Sequence, residues 1–208
     1  MENIALIGSV LLVHLLATIS PGPDFVVAVK NSMSYSRKTG TWTAIGCGLG
    51  ISIHIMYCVA GLAVVISKYI LLFDAIKYLG AAYLIYLGIA SAFSKSSRIK
   101  IQKETKKEDI SRLAAVRIGF FTNVLNPKAT LYFLSVFTFA LSPTTPHGVV
   151  AFISLGMIAI TMIWFSLVSV FFTQKKMLAI FNHYQGVFNK TLGGVLILLG
   201  IKVAFMHK

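Results

Sequence analysis

Two ionisable residues stand where charge is expensive. Asp24 follows Ser20-Pro21-Gly22-Pro23 inside one apolar run, and Lys128 follows Asn126-Pro127 inside another. At mid-membrane such a side chain costs about 2.5–3.5 kcal/mol on insertion scales, so each needs a partner or a task. The prolines explain the setting. A proline inside a helix removes a hydrogen bond and clashes with the preceding turn, so Pro21-Gly22-Pro23 and Asn126-Pro127 predict two broken helices. Exposed backbone cannot face lipid, and each break must therefore line protein or a water-filled cavity. Pro23 suits the first position of a restarted helix, with Ser20 as a local cap, and Asn126 suits the cap before Pro127. Free N–H groups at such a start attract anions. Asp24 gains about 0.3–1 kcal/mol from this field, whereas Lys128 opposes it. A pair between Asp24 and Lys128 would relieve both. That pair reads either as a binding and coupling site or as a salt bridge that pins two broken helices; snorkelling to the interface is the third arrangement.

Other chemistry is thinner. His14 and His54 lie within apolar runs, where each serves either as a proton relay near neutral pH or as a hydrogen-bonded link between helices. An enzyme in lipid would need several acids, a metal cluster or a base–nucleophile pair. Asp24 is the only acid firmly inside the broken helices, Asp74 sits near a helix end, and no His-Glu-x-x-His run occurs, so neither a metal nor another cofactor is expected. Cys47 and Cys58 share one apolar run and stand about 16 Å apart along a helix, too far for a disulfide. A thiol carrier would need a cysteine in each half of the chain.

The elements that must position these residues follow from composition. Of 208 residues 57% are apolar and 12% charged, and the mean hydropathy is +0.82. Soluble chains carry about 25% charged residues. The expected class is all-α and polytopic, with six spans at about residues 4–29, 41–66, 70–93, 113–141, 149–172 and 187–205, the first and fourth broken. Residues 94–112 form a charged loop or surface helix, and Pro143 and Pro146 mark a tight turn. The first run lacks the basic start and small-residue site of a cleavable signal peptide. The net charge of +13 sits between spans rather than on a folded surface, which favours membrane topology over a nucleic-acid partner. With the loop inside, fourteen Lys and Arg face the cytoplasm and four face outward, which puts both termini outside. Gly46, Gly48, Gly50 and Gly61 predict close helix packing. Tyr78, Tyr83, Tyr86 and Trp164 predict packing or interface anchors.

The two halves match weakly. Gly22-Pro23-Asp24 parallels Asn126-Pro127-Lys128, and residues 84–89 parallel 196–201, at offsets of 104 and 112. Three spans per half make this an inverted 3+3 repeat within one transmembrane domain: repeat one at about 1–93, the loop at 94–112, repeat two at about 113–208.

Taken together, residues 14–24 (HLLATISPGPD), Ser36-Arg37-Lys38-Thr39-Gly40, residues 77–88 (KYLGAAYLIYLG) and 119–133 (GFFTNVLNPKATLYF) resemble the lysine-exporter (LysE/RhtB) family of bacterial amino-acid exporters, and most of all its threonine and homoserine branch. The resemblance is weakest in the charged loop and after Gln174. It implies export of an amino acid from the cytoplasm across the inner membrane, driven by protons, with Asp24, Asn123, Asn126, Pro127 and Lys128 around the path. A zwitterion suits that site: its carboxylate would meet Lys128 and the half-helix N–H groups, its ammonium Asp24 or a backbone carbonyl. The expected partners are the amino acid, protons and the lipid bilayer, and a homodimer is compatible. A passive channel for small solutes is the alternative, ahead of a membrane enzyme or thiol carrier.

Overall fold

A computed structural model describes residues 2–94, 107–142 and 145–205. Among them are eight helices: α1 (Glu2–Ile19), α2 (Pro23–Ser34), α3 (Arg37–Lys68), α4 (Ile70–Ala92), α5 (Arg112–Val124), α6 (Pro127–Ala140), α7 (His147–Phe171) and α8 (Lys175–Ala204). Helices α1, α3, α4, α7 and α8 each contain a stretch long and apolar enough to cross a membrane. Both expected breaks occur. Residues 20–22 separate α1 from α2, and Leu125 and Asn126 separate α5 from α6.

Local chemistry sets the helix ends. Pro23 and Pro127 open α2 and α6, where their missing N–H groups cost nothing. Asn126 caps α6 as expected, its Oδ1 accepting the N–H of Lys128 at 3.0 Å. Ser20 does not cap α2; that position belongs to Gly22, which has no side chain to donate or accept. Ser36 caps α3 and Ser111 caps α5. The expected start of the sixth span, residue 187, is too late, because α8 runs from Lys175. Hydropathy follows lipid contact, and the first turns of α8 carry Asn182, His183 and Gln185. Of the charged loop, residues 95–106 lie outside the described residues, and 107–110 are not helical. Pro143 also lies outside them, and Pro146 precedes α7.

The packing is that of a protein solvated by lipid. Leu71, Leu79, Leu155 and Leu198 point outward with two thirds or more of their surface free, an apolar coat that water would not tolerate. Inside, a large cluster around Val136, Phe137 and Met157 joins α1, α3, α4, α6, α7 and α8. A smaller one around Phe25, Phe165 and Phe181 joins α2, α3, α7 and α8. Gly46 lets α3 meet the Val116 backbone of α5, and Gly119 lets α5 meet the Thr43 backbone of α3. Gly48 makes room for Met162 and Gly50 for Asn123, but a methyl on Gly61 would meet none of the described residues within 4 Å, so the close packing expected there is not found.

The seam between α4 and α8 has a particular symmetry. A methyl on Gly88 would come within 2.7 Å of Gly193 O and of Ile197 Cγ1. One on Gly200 would come within 2.8 Å of Ala81 O and 2.7 Å of Ile85 Cγ1. Adding 112 to Ala81, Ile85 and Gly88 gives Gly193, Ile197 and Gly200, so the two contacts are the same contact with partners exchanged.

Candidate functional site

Between the two apolar clusters lies a cavity of about 100 Å³, to which all eight helices and both breaks contribute. At about 10–15 Å³ per water, it has room for several waters or one small solute. Its polar lining comes from Asp24, Gly22 and Pro23 at the first break and from Asn123, Asn126 and Lys128 at the second. His14, Thr18, Ser91, Tyr132 and Thr161 complete it, against apolar walls of Ile51, Phe133, Phe165 and Leu196. The breaks position these groups because each stops one helix and restarts another at cavity level. Pro21, Pro127 and His54 stand behind the lining rather than in it.

Asp24 is half-buried and bonded across the cavity floor: Asn123 Nδ2 donates to its Oδ2 at 2.8 Å. Its other oxygen, Oδ1, is buried and accepts from none of the described residues, and the same holds for Asn123 Oδ1. Asn123 is itself held by its backbone. The end of α5 frees its carbonyl, which accepts from Asn126 N at 3.0 Å and from His54 Nε2 at 3.1 Å.

The expected direct pair between Asp24 and Lys128 does not form. Among the described residues Lys128 has no carboxylate within 4.0 Å. The contact Asp24 makes instead is with Asn123, whose Nδ2 occupies its Oδ2. Acid and cation line one cavity without neutralising each other at contact.

The histidines tie helices together. A carbonyl only accepts, so His54 Nε2 carries the hydrogen it gives to Asn123 O, and its Nδ1 lies 2.7 Å from Tyr57 OH. The ring stacks on Phe133 at 5.3 Å. By the same logic His14 Nε2 donates to Met157 O at 3.1 Å, with Thr161 Oγ1 at 2.9 Å, joining α1 to α7 beside the cavity. Tyr132 OH stands 3.5 Å from the other ring nitrogen. Sequence reasoning passed over Thr18, Thr161, Tyr132 and Ser91. A lone hydroxyl in an apolar run is the signal that could have found them.

Comparison with known proteins agrees with this architecture. An uncharacterized membrane protein of Bacillus subtilis (strain 168) is 32% identical over 88% of this chain and 91% of its own. A leucine efflux protein of Salmonella choleraesuis (strain SC-B67) is 31% identical over 73% of this chain and 68% of its own. An uncharacterized membrane protein of Escherichia coli (strain K12) is 26% identical over 89% of this chain and 83% of its own. No solved structure matches the chain significantly. The family model described as LysE type translocator matches residues 15–207, and the chain belongs to that family of membrane transporters.

Proposed function

We propose that this protein exports a small neutral amino acid, threonine or homoserine first, across the bacterial inner membrane in exchange for a proton. In this reading both termini lie outside and residues 94–112 lie in the cytoplasm. One observation carries it: an acid and a cation, one at each helix break, face one small cavity without bonding each other. A zwitterion fits between them, its carboxylate toward Lys128 and the uncapped start of α2, its ammonium toward Asp24. The hydroxyls of Thr18 and Thr161 favour a hydroxylated side chain. Leucine is the second reading, favoured by the apolar walls and by the relative named as a leucine efflux protein.

Coupling follows from the two orphaned oxygens. A proton on Asp24 Oδ1, donated to Asn123 Oδ1, satisfies both; an ammonium from the substrate satisfies the same two. One seat admits either occupant and never both, which is the condition for antiport. The corresponding contacts of Gly88 and Gly200 support an inverted 3+3 repeat, whose halves would rock about this seat.

The test is extracellular accumulation of individual amino acids from cells fed dipeptides, overexpressing strain against deletion strain. The expected result is export of threonine, homoserine or leucine against a gradient, stopped by a protonophore. Preferential export of lysine or arginine overturns the neutral substrate. Equilibration without accumulation overturns the carrier and leaves a channel.

A further inference from the structure

The buried face of α8 reads Leu178, Phe181, Gln185, Asn189, Leu192, Leu196, Leu199 and Val203, a helical stripe that is apolar except for two adjacent amides. Gln185 is 4% exposed and Asn189 5%. The Oε1 of Gln185 and the Oδ1 of Asn189 are both buried and receive no donor among the described residues, a costly arrangement that leucine at either position would avoid. The orientation of Asn189 is fixed by its neighbours at and just beyond the end of α4. Its Nδ2 donates to Ser94 Oγ at 2.8 Å, and the hydroxyl of Ser94 is committed to Ser91 O at 2.8 Å, so turning the amide would set two acceptors face to face. Ser91 Oγ in turn donates to the backbone carbonyl of Asn189 at 3.0 Å, and Ser91 lines the cavity, as does Leu192. Asn189 lies about 4.5 Å and Gln185 about 10 Å along the helix from Leu192. The polar strip therefore leaves the cavity at Ser91 and runs toward the end of the bundle where α4 finishes and α8 begins.

We propose that Gln185 and Asn189 form a second, transient site for the ammonium group of an amino acid on its way between that end and the cavity. The proposal rests on the amino-acid export reading. Neutral carbonyls suit a station of this kind: they accept the N–H groups of an ammonium, yet hold it loosely enough to let it leave, where a carboxylate would trap it. They also discriminate. An acid of the same shape with a hydroxyl in place of the ammonium offers them one donor and no charge.

The test uses the full-length protein in proteoliposomes with whichever of threonine, homoserine and leucine the wild type transports, and that compound's 2-hydroxy acid as inhibitor. In the double variant Gln185→Leu, Asn189→Leu, KM for the amino acid rises about fivefold or more, while inhibition by the hydroxy acid is unchanged. In a second variant, Gln185→Cys, an aminoethyl thiosulfonate modifies the new thiol, and the amino acid slows that reaction where the hydroxy acid does not. The native cysteines are buried and free, so they add little background. Equal loss for both ligands, or an unchanged KM in folded protein, overturns the site, as does a Gln185→Cys thiol that the reagent never reaches. A wild type that moves none of the three amino acids overturns the export reading itself and the station with it; export by the wild type with unaffected variants overturns the station alone.

Discussion

Asp24 and Lys128 were legible in the sequence because charge inside an apolar run is costly, and proline beside it breaks the helix that carries it. What the residues alone did not give is Asn123. An asparagine in an apolar run has no spacing to mark it, and only the family resemblance pointed there. Yet it donates to Asp24 at 2.8 Å, the contact that the expected pair with Lys128 would have made. The first prediction follows. Asp24→Asn keeps volume and fold, since an amide can still accept from Asn123 Nδ2, but export falls at least about a hundredfold, the scale for losing a charge-handling group from a water-poor site. Lys128→Ala weakens substrate binding. Combining Asp24→Asn with Lys128→Gln removes both burial costs, so membrane yield recovers and transport does not. Efflux measured at matched protein levels decides it, and near wild-type efflux from the double variant would reduce the pair to scaffolding.

At the level of elements, prolines and caps foretold both breaks, whereas the start of α8 and the cap of α2 were missed. A helix continues through polar residues wherever a neighbour covers them, and hydropathy does not see neighbours. The same distinction separates two glycines of α3. A methyl on Gly50 would lie 2.8 Å from both Cβ and Oδ1 of Asn123; one on Gly61 would meet nothing within 4 Å. Helix propensity favours alanine over glycine by about 1 kcal/mol at either place. Gly61→Ala is therefore expected to be neutral or stabilising, with export intact. Gly50→Ala must displace Asn123, so it costs about 1–3 kcal/mol by overpacking and loses most export. Thermal unfolding in detergent and efflux, measured together, check both. At the second break, Asn126→Ala removes the bond to Lys128 N and costs about 0.5–2 kcal/mol, while Asn126→Asp retains a cap and most of the stability.

Across the whole molecule, charge and contact agree on one end of the bundle. Ser36 Oγ and Thr39 Oγ1 donate to Asp109 at 2.8 and 3.0 Å, Lys107 N donates to Ser34 O at 2.8 Å, and Arg37 Nε donates to Thr173 Oγ1 at 3.1 Å. These bonds gather the end of α2, the start of α3, the approach to α5 and the turn before α8 at a single face. Arg37, Lys38, Lys107 and Arg112 belong to it, and Lys68 and Lys202 lie at the far ends of α3 and α8. Cytoplasmic loops collect Lys and Arg because moving them across an energised membrane during insertion is unfavourable, so this face is expected inside. The last prediction is the orientation that results. Glu2 and Glu108 are exposed, and both native cysteines are buried. In intact cells a membrane-impermeant maleimide should label Glu2→Cys and leave Glu108→Cys unlabelled, until permeabilisation exposes the second position as well. The reverse pattern would place the charged face outside. An acid and a cation at the breaks would then still face one cavity, but the amino acid would enter it from the side on which an exporter must release it.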